Sequence, residues 1–156
     1  VPAGGDVPDQ KTNLKFKHKI QFVNEMINHF KIDKTQNRIL VGDLNIAPYE
    51  NDVWSHKQLL NIVSHTPIET DNLKNLINDG KWVDIMRKFV PLEEKLYSWW
   101  SYRNRDWKIS NRGRRLDHIW LSESLVSVAK KIDVYKETRD WDKPSDHVPV
   151  VLDIDV

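Results

Sequence analysis

A carboxylate and an amide follow the first apolar run of the chain at a spacing that suits work on a phosphate. Asp43 and Asn45 come directly after residues 39–41, and in an extended chain the two share one face. An aspartate can take a proton from water or hold a divalent cation, and an asparagine can donate to a phosphate oxygen. Gly, Asp and Asn are also ordinary turn residues, so the alternative interpretation of these residues is a turn at the end of a strand.

A second carboxylate and a histidine extend this set. Alternation within the apolar stretch 115–121 puts Asp117 on the opposite face from its neighbour His118. Burying an unpaired carboxylate is costly, so we expect Asp117 to pair with His147, which follows Asp146 just before the last strand. Such a pair fixes the imidazole tautomer and favours its charged form. A surface salt bridge is the competing interpretation of this pair. Asp43, Asp117, Asp146 and His147 can form one site only if the strands that carry them converge.

The stretch 103–115 concentrates positive charge, with six basic residues against one acidic residue, a net charge of +5. The whole chain carries only +1, from 24 basic and 23 acidic residues, so the excess is local. Basic groups with interleaved aromatic residues suit phosphate contact and stacking on bases. The alternative is a solvated charged loop whose aromatic side chains lie in the core. On the first interpretation, we predict DNA contacts from Tyr102, Arg105, Arg112 and Arg114.

Composition excludes several other kinds of chemistry. The 156 residues include no cysteine, which removes disulfides, thiol nucleophiles and cysteine zinc sites. The glycine-rich phosphate motifs, the G-x-S-x-G elbow and H-E-x-x-H are absent as well. The carboxylate-rich set suits Mg²⁺, with Mn²⁺ as the alternative. A chain without cysteine fits a reducing cytosol, so we expect a cytoplasmic protein. No apolar run approaches the roughly 18 residues of a membrane span, so we expect no membrane partner.

Helices and strands must position these groups. Apolar residues at three- and four-residue spacing predict an amphipathic helix over 15–30. Thr66, Pro67 and Glu69 predict the start of a second helix that stops at Gly80, and a short third helix is expected over 83–89. Strands are predicted at 38–41, 97–101, 115–121, 132–136 and 148–154. The architecture is therefore α/β or α+β, with more strand than helix.

Several side chains are assigned to the core or the surface at this stage. The run 38–41 is expected to be a buried strand, and Trp100 and Trp120 are expected in the core. Four histidines in polar surroundings are predicted to lie on the surface without a role: His18, His29, His56 and His65.

Four motifs, taken in order, resemble those of the exonuclease III family of AP endonucleases. They read GDLNIAP, YSWWSYR, NRGRRLDHIWLS and KPSDHVPV. The first and last are shared across the wider endonuclease/exonuclease/phosphatase superfamily, and the central two are typical of the exonuclease III branch. The resemblance covers residues 1–156 and implies the C-terminal half of a four-layer α/β sandwich. The chain is then one partial domain, 1–156, that lacks the N-terminal half.

The resemblance also implies roles for individual residues. Asp43 would activate the attacking water or handle the leaving-group proton, and Asn45 would orient the phosphate and stabilise the transition state. Asp117 and His147 would form the catalytic pair, with His147 on the scissile phosphate. The implied metal-binding residues are Asp43, Asn45, Asp146 and His147. Trp99 and Leu116 would wall the pocket for a flipped-out abasic sugar, and Arg103 would press into the duplex.

The implied substrate is double-stranded DNA, at abasic sites and 3′ ends. The implied reactions are metal-dependent incision 5′ to the abasic site and 3′-5′ exonuclease activity in DNA repair. Because an early asparagine, a metal-binding glutamate and a tyrosine of the family have no counterpart here, we expect the chain alone to be inactive. We expect the complete protein to be a monomer. We expect copies of this partial chain to associate through its uncovered sheet.

Three alternatives stay open. One is a phosphodiesterase or phosphatase of the same superfamily that acts on a small or lipid phosphate ester. Another is a catalytically dead fragment that retains DNA binding. The last is an assembly partner whose missing half is supplied by another chain.

Overall fold

The computed structural model describes residues 1–32 and 36–155 as a mixed α/β protein, which confirms the predicted fold class. Its α-helices are α1 (Leu14–Ile32), α2 (His56–Leu59), α3 (Pro67–Asp79), α4 (Ile85–Phe89) and α5 (Trp107–Ser110). Its strands are β1 (Ile39–Asp43), β2 (Trp82–Asp84), β3 (Trp99–Trp100), β4 (Gly113–Arg114), β5 (Asp117–Ser122), β6 (Ala129–Val134) and β7 (Val150–Ile154). Short 3-10 turns occupy Glu50–Asp52, Glu123–Val128 and Lys136–Asp140. Within the described ranges, the helices hold more residues than the strands, so the expected excess of strand is wrong.

The two long helices form as their sequence patterns predict. In α1, the residues at helical spacing, Phe16, Ile20 and Val23, are buried, because they form the face that packs inward. Ahead of α3, the Thr66 backbone N–H and hydroxyl both donate to Glu69 Oε2, at 3.1 and 2.7 Å. This local capping fixes the start of α3, as predicted.

In the part of the chain that the structure describes, the strands form three antiparallel sheets. The largest has the order β1-β5-β2, and the other two pair β3 with β4 and β6 with β7. Strand β5 is central, and its residues Ile119, Trp120 and Leu121 are buried between neighbours. The register of β1 on β5 sets Asp43 directly opposite Asp117, so two predicted site residues meet at one end of the sheet.

The predicted burial of the first strand is wrong. Ile39 is 48% exposed and Val41 is 65% exposed, although both are apolar. The reason is position: β1 is an edge strand with one neighbour, β5, and its outward side chains face solvent. Hydropathy alone cannot separate a covered strand from an uncovered one.

Other boundaries move where tertiary pairing overrides local pattern. The start of the helix predicted over 83–89 is strand β2, which pairs with β5. The strand predicted at 97–101 contracts to β3, and that predicted at 132–136 begins three residues earlier and ends two residues earlier, as β6. The basic stretch predicted to be a loop contains the short helix α5.

Burial of the tryptophans follows prediction, and burial of one histidine does not. Trp100 and Trp120 are buried as expected. His65 is also buried, with one ring nitrogen 2.8 Å from His56 and the other 2.7 Å from the Ala47 carbonyl. These partners replace water, which is why a polar ring is tolerated there.

Within the described residues, no helix has the length and apolar character needed to cross a bilayer.

Candidate active site

Three side chains from distant parts of the sequence meet at the end of the β1–β5 pair. His147 Nδ1 lies 2.8 Å from Asp117 Oδ2, and His147 Nε2 lies 3.8 Å from Asp43 Oδ2. The aspartates come from adjacent strands, and the histidine comes from the loop before β7. The imidazole therefore bridges two carboxylates, one through a hydrogen bond and one at the distance of an ion pair.

A buried serine joins the strand and the loop that supply this pair. Ser98 Oγ accepts hydrogen bonds from the backbone N–H groups of Leu116 and Asp117, each at 3.0 Å. The Ser98 carbonyl accepts from the Val148 N–H at 2.8 Å. Ser98 is thus hydrogen-bonded both to the start of β5, which carries Asp117, and to Val148, the residue after His147. Sequence reasoning missed Ser98, because a serine inside an aromatic motif carries no signal of such a role.

The turn after β1 fixes the second carboxylate. Both Asp43 oxygens accept from Asn45, one from its backbone N–H at 2.9 Å and one from its side-chain amide at 3.0 Å. Asn45 has φ of 53°, a left-handed conformation that asparagine tolerates better than most residues. Its amide also donates to the Val1 carbonyl at 2.8 Å. A phosphate contacted by this amide would have to replace one of these two acceptors.

Burial and charge shift the two titrating groups toward their protonated forms. The pKa of Asp43 is raised, chiefly because partial burial disfavours its charge and also because Asp117 is nearby, while the Asn45 N–H opposes the shift. The pKa of His147 is raised because its ring donates to Asp117 and both nearby aspartates favour the cation, against the effect of burial. Asp43 is thereby a better proton acceptor than a solvated aspartate. The His147 imidazole holds its proton more strongly than a free histidine does.

The same three residues form a cluster that could hold a metal ion. Ligand atoms of Asp43, Asp117 and His147 lie within 4.8 Å of one another. Asp146, predicted as a ligand, is outside this group; its Oδ2 accepts from Trp99 Nε1 at 2.9 Å. The donor set is rich in carboxylate oxygen, which matches hard divalent cations.

A cleft of about 1220 Å³ opens over the site. Its walls include Asp43, Asn45, Asp146 and His147 together with five of the predicted DNA-binding residues, Trp99, Arg103, Arg112, Arg114 and Leu116. Tyr102 and Arg105 do not line it. Tyr102 is 59% exposed, and its hydroxyl donates to the Pro144 carbonyl at 2.7 Å. Most of the predicted residues are therefore gathered around one space.

The arginines of the basic stretch differ in availability. Arg103 and Arg105 are exposed, and the exposed Arg112 guanidinium lies 4.7 Å from the Trp54 ring centroid. Arg114 is already engaged, since it donates to the Ser64 hydroxyl at 2.7 Å and to the Val63 carbonyl at 3.1 Å.

The counted +5 overstates the charge that faces outward. Arg115 is fully buried, with hydrogen bonds to Asp52 and Asp84 of 2.8 and 3.0 Å. Lys108 pairs with Asp140 at 2.5 Å. Among the described residues, Arg103, Arg105 and Arg112 are the exposed basic residues of this stretch that have no ion-pair partner, so the outward-facing charge is concentrated in them.

Comparison with known proteins agrees with this arrangement. The family described as Endonuclease/Exonuclease/phosphatase family matches residues 16–147. The chain is 30% identical over 144 residues to exodeoxyribonuclease III of Haemophilus influenzae, an alignment that covers 87% of this chain and 53% of that protein.

Solved structures share the fold. An AP endonuclease from Archaeoglobus fulgidus has a TM-score of 0.89 and 26% identity, over 100% of this chain and 59% of that one. A 3′ phosphatase from Neisseria, bound to a product DNA hairpin, has a TM-score of 0.88 and 27% identity, over 99% of this chain and 59% of that one. The chain spans about half to three fifths of the length of these proteins.

Proposed function

The chain belongs to the endonuclease/exonuclease/phosphatase family, and from this premise we propose that it is the C-terminal portion of an exonuclease III type DNA-repair nuclease. Its reactions would be phosphodiester hydrolysis 5′ to abasic sites and removal of nucleotides from 3′ ends. The observation that carries this proposal is the Asp117–His147 contact of 2.8 Å, with Asp43 at 3.8 Å from the same imidazole, beneath a cleft lined by arginines.

Each residue has a chemical task in this proposal. Asp43, with its raised pKa, accepts the proton of the attacking water or handles that of the leaving group. His147, held as a cation by Asp117, contacts the scissile phosphate and offsets charge that develops there. Asn45 donates its side-chain amide to a phosphate oxygen once it releases Asp43 or the Val1 carbonyl.

The metal requirement is the finer part of the proposal. Asp43, Asn45, Asp146 and His147 are the proposed ligands for Mg²⁺, with Mn²⁺ as the alternative. His147 can take this role only with a neutral imidazole, as an alternative to its role as a cation on the phosphate. Asp117, which lies in the same cluster as Asp43 and His147, is a further candidate. When bound, such an ion supplies Lewis acidity to a phosphate oxygen.

We propose double-stranded DNA as the partner. Trp99 and Leu116 would wall the pocket for the abasic sugar, Arg103 would enter the duplex, and Arg112 would contact phosphates. Tyr102 and Arg105 lie outside the cleft lining, so their proposed contacts are with flanking DNA. The structural likeness to a protein bound to a DNA hairpin supports this choice.

A phosphatase or phosphodiesterase acting on small esters is the second candidate, favoured by the likeness to a 3′ phosphatase. A wide cleft of about 1220 Å³ lined by several arginines suits a polyanion better than a small ester. Comparing abasic duplex, 3′-phosphorylated DNA and phosphoinositide as substrates separates the two functions.

We expect this chain alone to have little or no activity. Its share of its relatives' length and the exposed apolar edge strand β1 support that expectation. A cytoplasmic location and a monomeric complete protein belong to the same proposal, and the uncovered strand could bring copies of this chain together.

A chimera tests the function. The matching segment of the Haemophilus influenzae relative is replaced by this chain, and incision of an abasic duplex is measured with Mg²⁺, with Mn²⁺ and with chelator. We expect chelator-sensitive incision by the chimera and little by the 156-residue chain. A folded chimera that binds DNA without cleaving it would favour the catalytically dead binding fragment. Robust incision by the chain alone would contradict its expected inactivity.

A further inference from the structure

A buried lysine lies directly behind the catalytic turn. Lys19, in α1, has a fully buried side chain, and its ammonium has three oxygen partners. They are Glu69 Oε1 at 2.5 Å, the Asn45 carbonyl at 2.8 Å and the Ala3 carbonyl at 3.2 Å. An ammonium has three donors, so every one of them is used.

Glu69 holds a second cleft-lining turn in the same way. Both its oxygens accept from the Ser64 backbone N–H at 2.9 Å. Ser64 has φ of 91°, a left-handed conformation that costs energy in a residue with a side chain. Its hydroxyl accepts from Arg114, and its carbonyl accepts from the Ala47 N–H at 2.8 Å. The carboxylate thus stabilises a strained turn that lines the cleft.

The approach of Lys19 to the N-terminal segment requires a glycine at position 4. Gly4 has φ of +90°, and a Cβ added there would lie 2.8 Å from Lys19 Cδ. The geometry of residues 3–4 is therefore matched to the lysine stem, an observation independent of the ion pair itself.

A buried ion pair is a poor way to gain stability alone, because desolvation offsets much of the attraction. This pair reaches the active site through short contacts. Lys19 bonds the Asn45 carbonyl, and Asn45 donates to both oxygens of Asp43. Partners that orient a ligand in this manner commonly change metal affinity by 10–100-fold when removed.

We infer that Lys19 and Glu69 are positioning residues, a buried ion pair that sets the Asp43–Asn45 turn and the Val63–Ser64 wall for metal and phosphate binding. Lys19 contacts neither the proposed metal nor the phosphate directly; it acts through the backbone carbonyl of Asn45. The inference rests on the proposed function of the Asp43 and Asn45 side chains. It assigns the pair a task beyond holding α1 against α3.

The test separates positioning from stability. Lys19→Met leaves the Glu69 charge unpaired in the core, so this variant is expected to unfold more easily. In Lys19→Met/Glu69→Gln the unpaired charge is gone, and part of the stability should return. The Asn45 contact is still missing in the double variant. Lys131→Met, at an exposed lysine paired with Asp133, is the matched control.

Two readouts on the whole chain decide the inference: the Asn45 backbone and side-chain amide NMR signals without metal, and the dissociation constant for Mn²⁺. In the folded double variant we expect both Asn45 signals to shift and the Mn²⁺ dissociation constant to rise at least about 10-fold. Asn45 signals that stay unchanged, with Mn²⁺ affinity within about twofold of the parent, would overturn it.

A second variant guards against failure to fold. Gly4→Ala keeps both charges and places a Cβ 2.8 Å from the lysine stem and 3.2 Å from Val63 Cγ1, at a backbone φ of +90° that strains any side chain. The Asn45 signals should therefore move, while Lys131→Met leaves them in place. Gly4→Ala signals identical to those of the parent would count against the inference. A parent chain that binds no Mn²⁺ would instead contradict the proposed metal site, and the Asn45 signals would still decide the role of Lys19.

Discussion

Two clusters in this molecule are built from the same kinds of side chain and have opposite characters. In the first, Asp52 and Asp84 surround Arg115, and Arg87 adds a second guanidinium at 2.6 Å from Asp52. Arg115 and Asp52 have fully buried side chains. The second is the Asp43, Asp117 and His147 set, whose side chains are about a quarter to a third exposed.

The two clusters differ in how completely each charged group is paired with a group of opposite charge. The pKa of Arg115 is raised because its two aspartates outweigh the cost of burial, so its guanidinium stays charged. In the open cluster the pKa values of Asp43 and His147 both rise, and two carboxylates compete for one imidazole. A closed network holds structure, whereas an open one can exchange protons and bind ions. Arg115 and Asp117 are only two residues apart, so neighbours in sequence can serve different ends.

The largest expected effect is on the closed cluster. Asp52→Ala leaves Arg87 and Arg115 without their shared carboxylate, and we expect the free energy of unfolding to fall by about 3–5 kcal/mol. Urea unfolding followed by circular dichroism measures it. Asp142→Ala, at an exposed aspartate, should change the value by less than about 0.5 kcal/mol. A loss below about 1 kcal/mol for Asp52→Ala would mean that the network is not the structural element described.

The open cluster should respond in chemistry rather than stability. Asp43→Asn or His147→Ala in the chimera should slow incision at least roughly 10²-fold, because each removes a proposed proton or charge function. The unfolding free energy of the chain should change by less than about 1 kcal/mol. Single-turnover incision kinetics measure the rate, with Asp142→Asn as the matched control. Near-normal rates would remove these residues from the proposed mechanism.

A smaller effect is expected where charge is available for DNA. Arg112→Ala should weaken duplex binding at all sequences and reduce the slope of log K against log salt by about 1, because one phosphate contact is lost. Fluorescence anisotropy at several salt concentrations measures this. Lys88→Ala, an exposed residue outside the cleft lining, should leave the slope unchanged. If both variants behave alike, the cleft arginines are not the contact surface.

The smallest effect is the pH dependence of the His147 pair. Its folded-state pKa is raised by Asp117, so its stabilisation is complete below the unfolded value of about 6.5 and is lost as pH rises through the folded value. Partial exposure limits this to less than about 1 kcal/mol. NMR titration of metal-free chain should give a pKa above that of free histidine, and Asp117→Asn should lower it. An unchanged pKa in that variant would contradict the assigned cause.

Local signals in the sequence were sufficient for some of these features. The capping of α3 by Thr66 and Glu69 was predictable because its atoms lie three residues apart. The Asp117–His147 pair was predictable because a carboxylate on an apolar face needs a partner. Burial of Arg115 was not, since its partners lie 63 and 31 residues away.

The sequence by itself determined the family, the two long helices and half of the residues that line the cleft, because these depend on short motifs and periodicity. The tertiary structure alone decided which charged side chains are buried in a closed network of ion pairs and which remain partly exposed in the open cluster. It buried Arg115 and His65, exposed Ile39 and Val41, and put Lys19 behind Asn45. Such outcomes depend on contacts between residues far apart in sequence. Those contacts determine which side chains are buried, and burial sets the strength of each charge interaction.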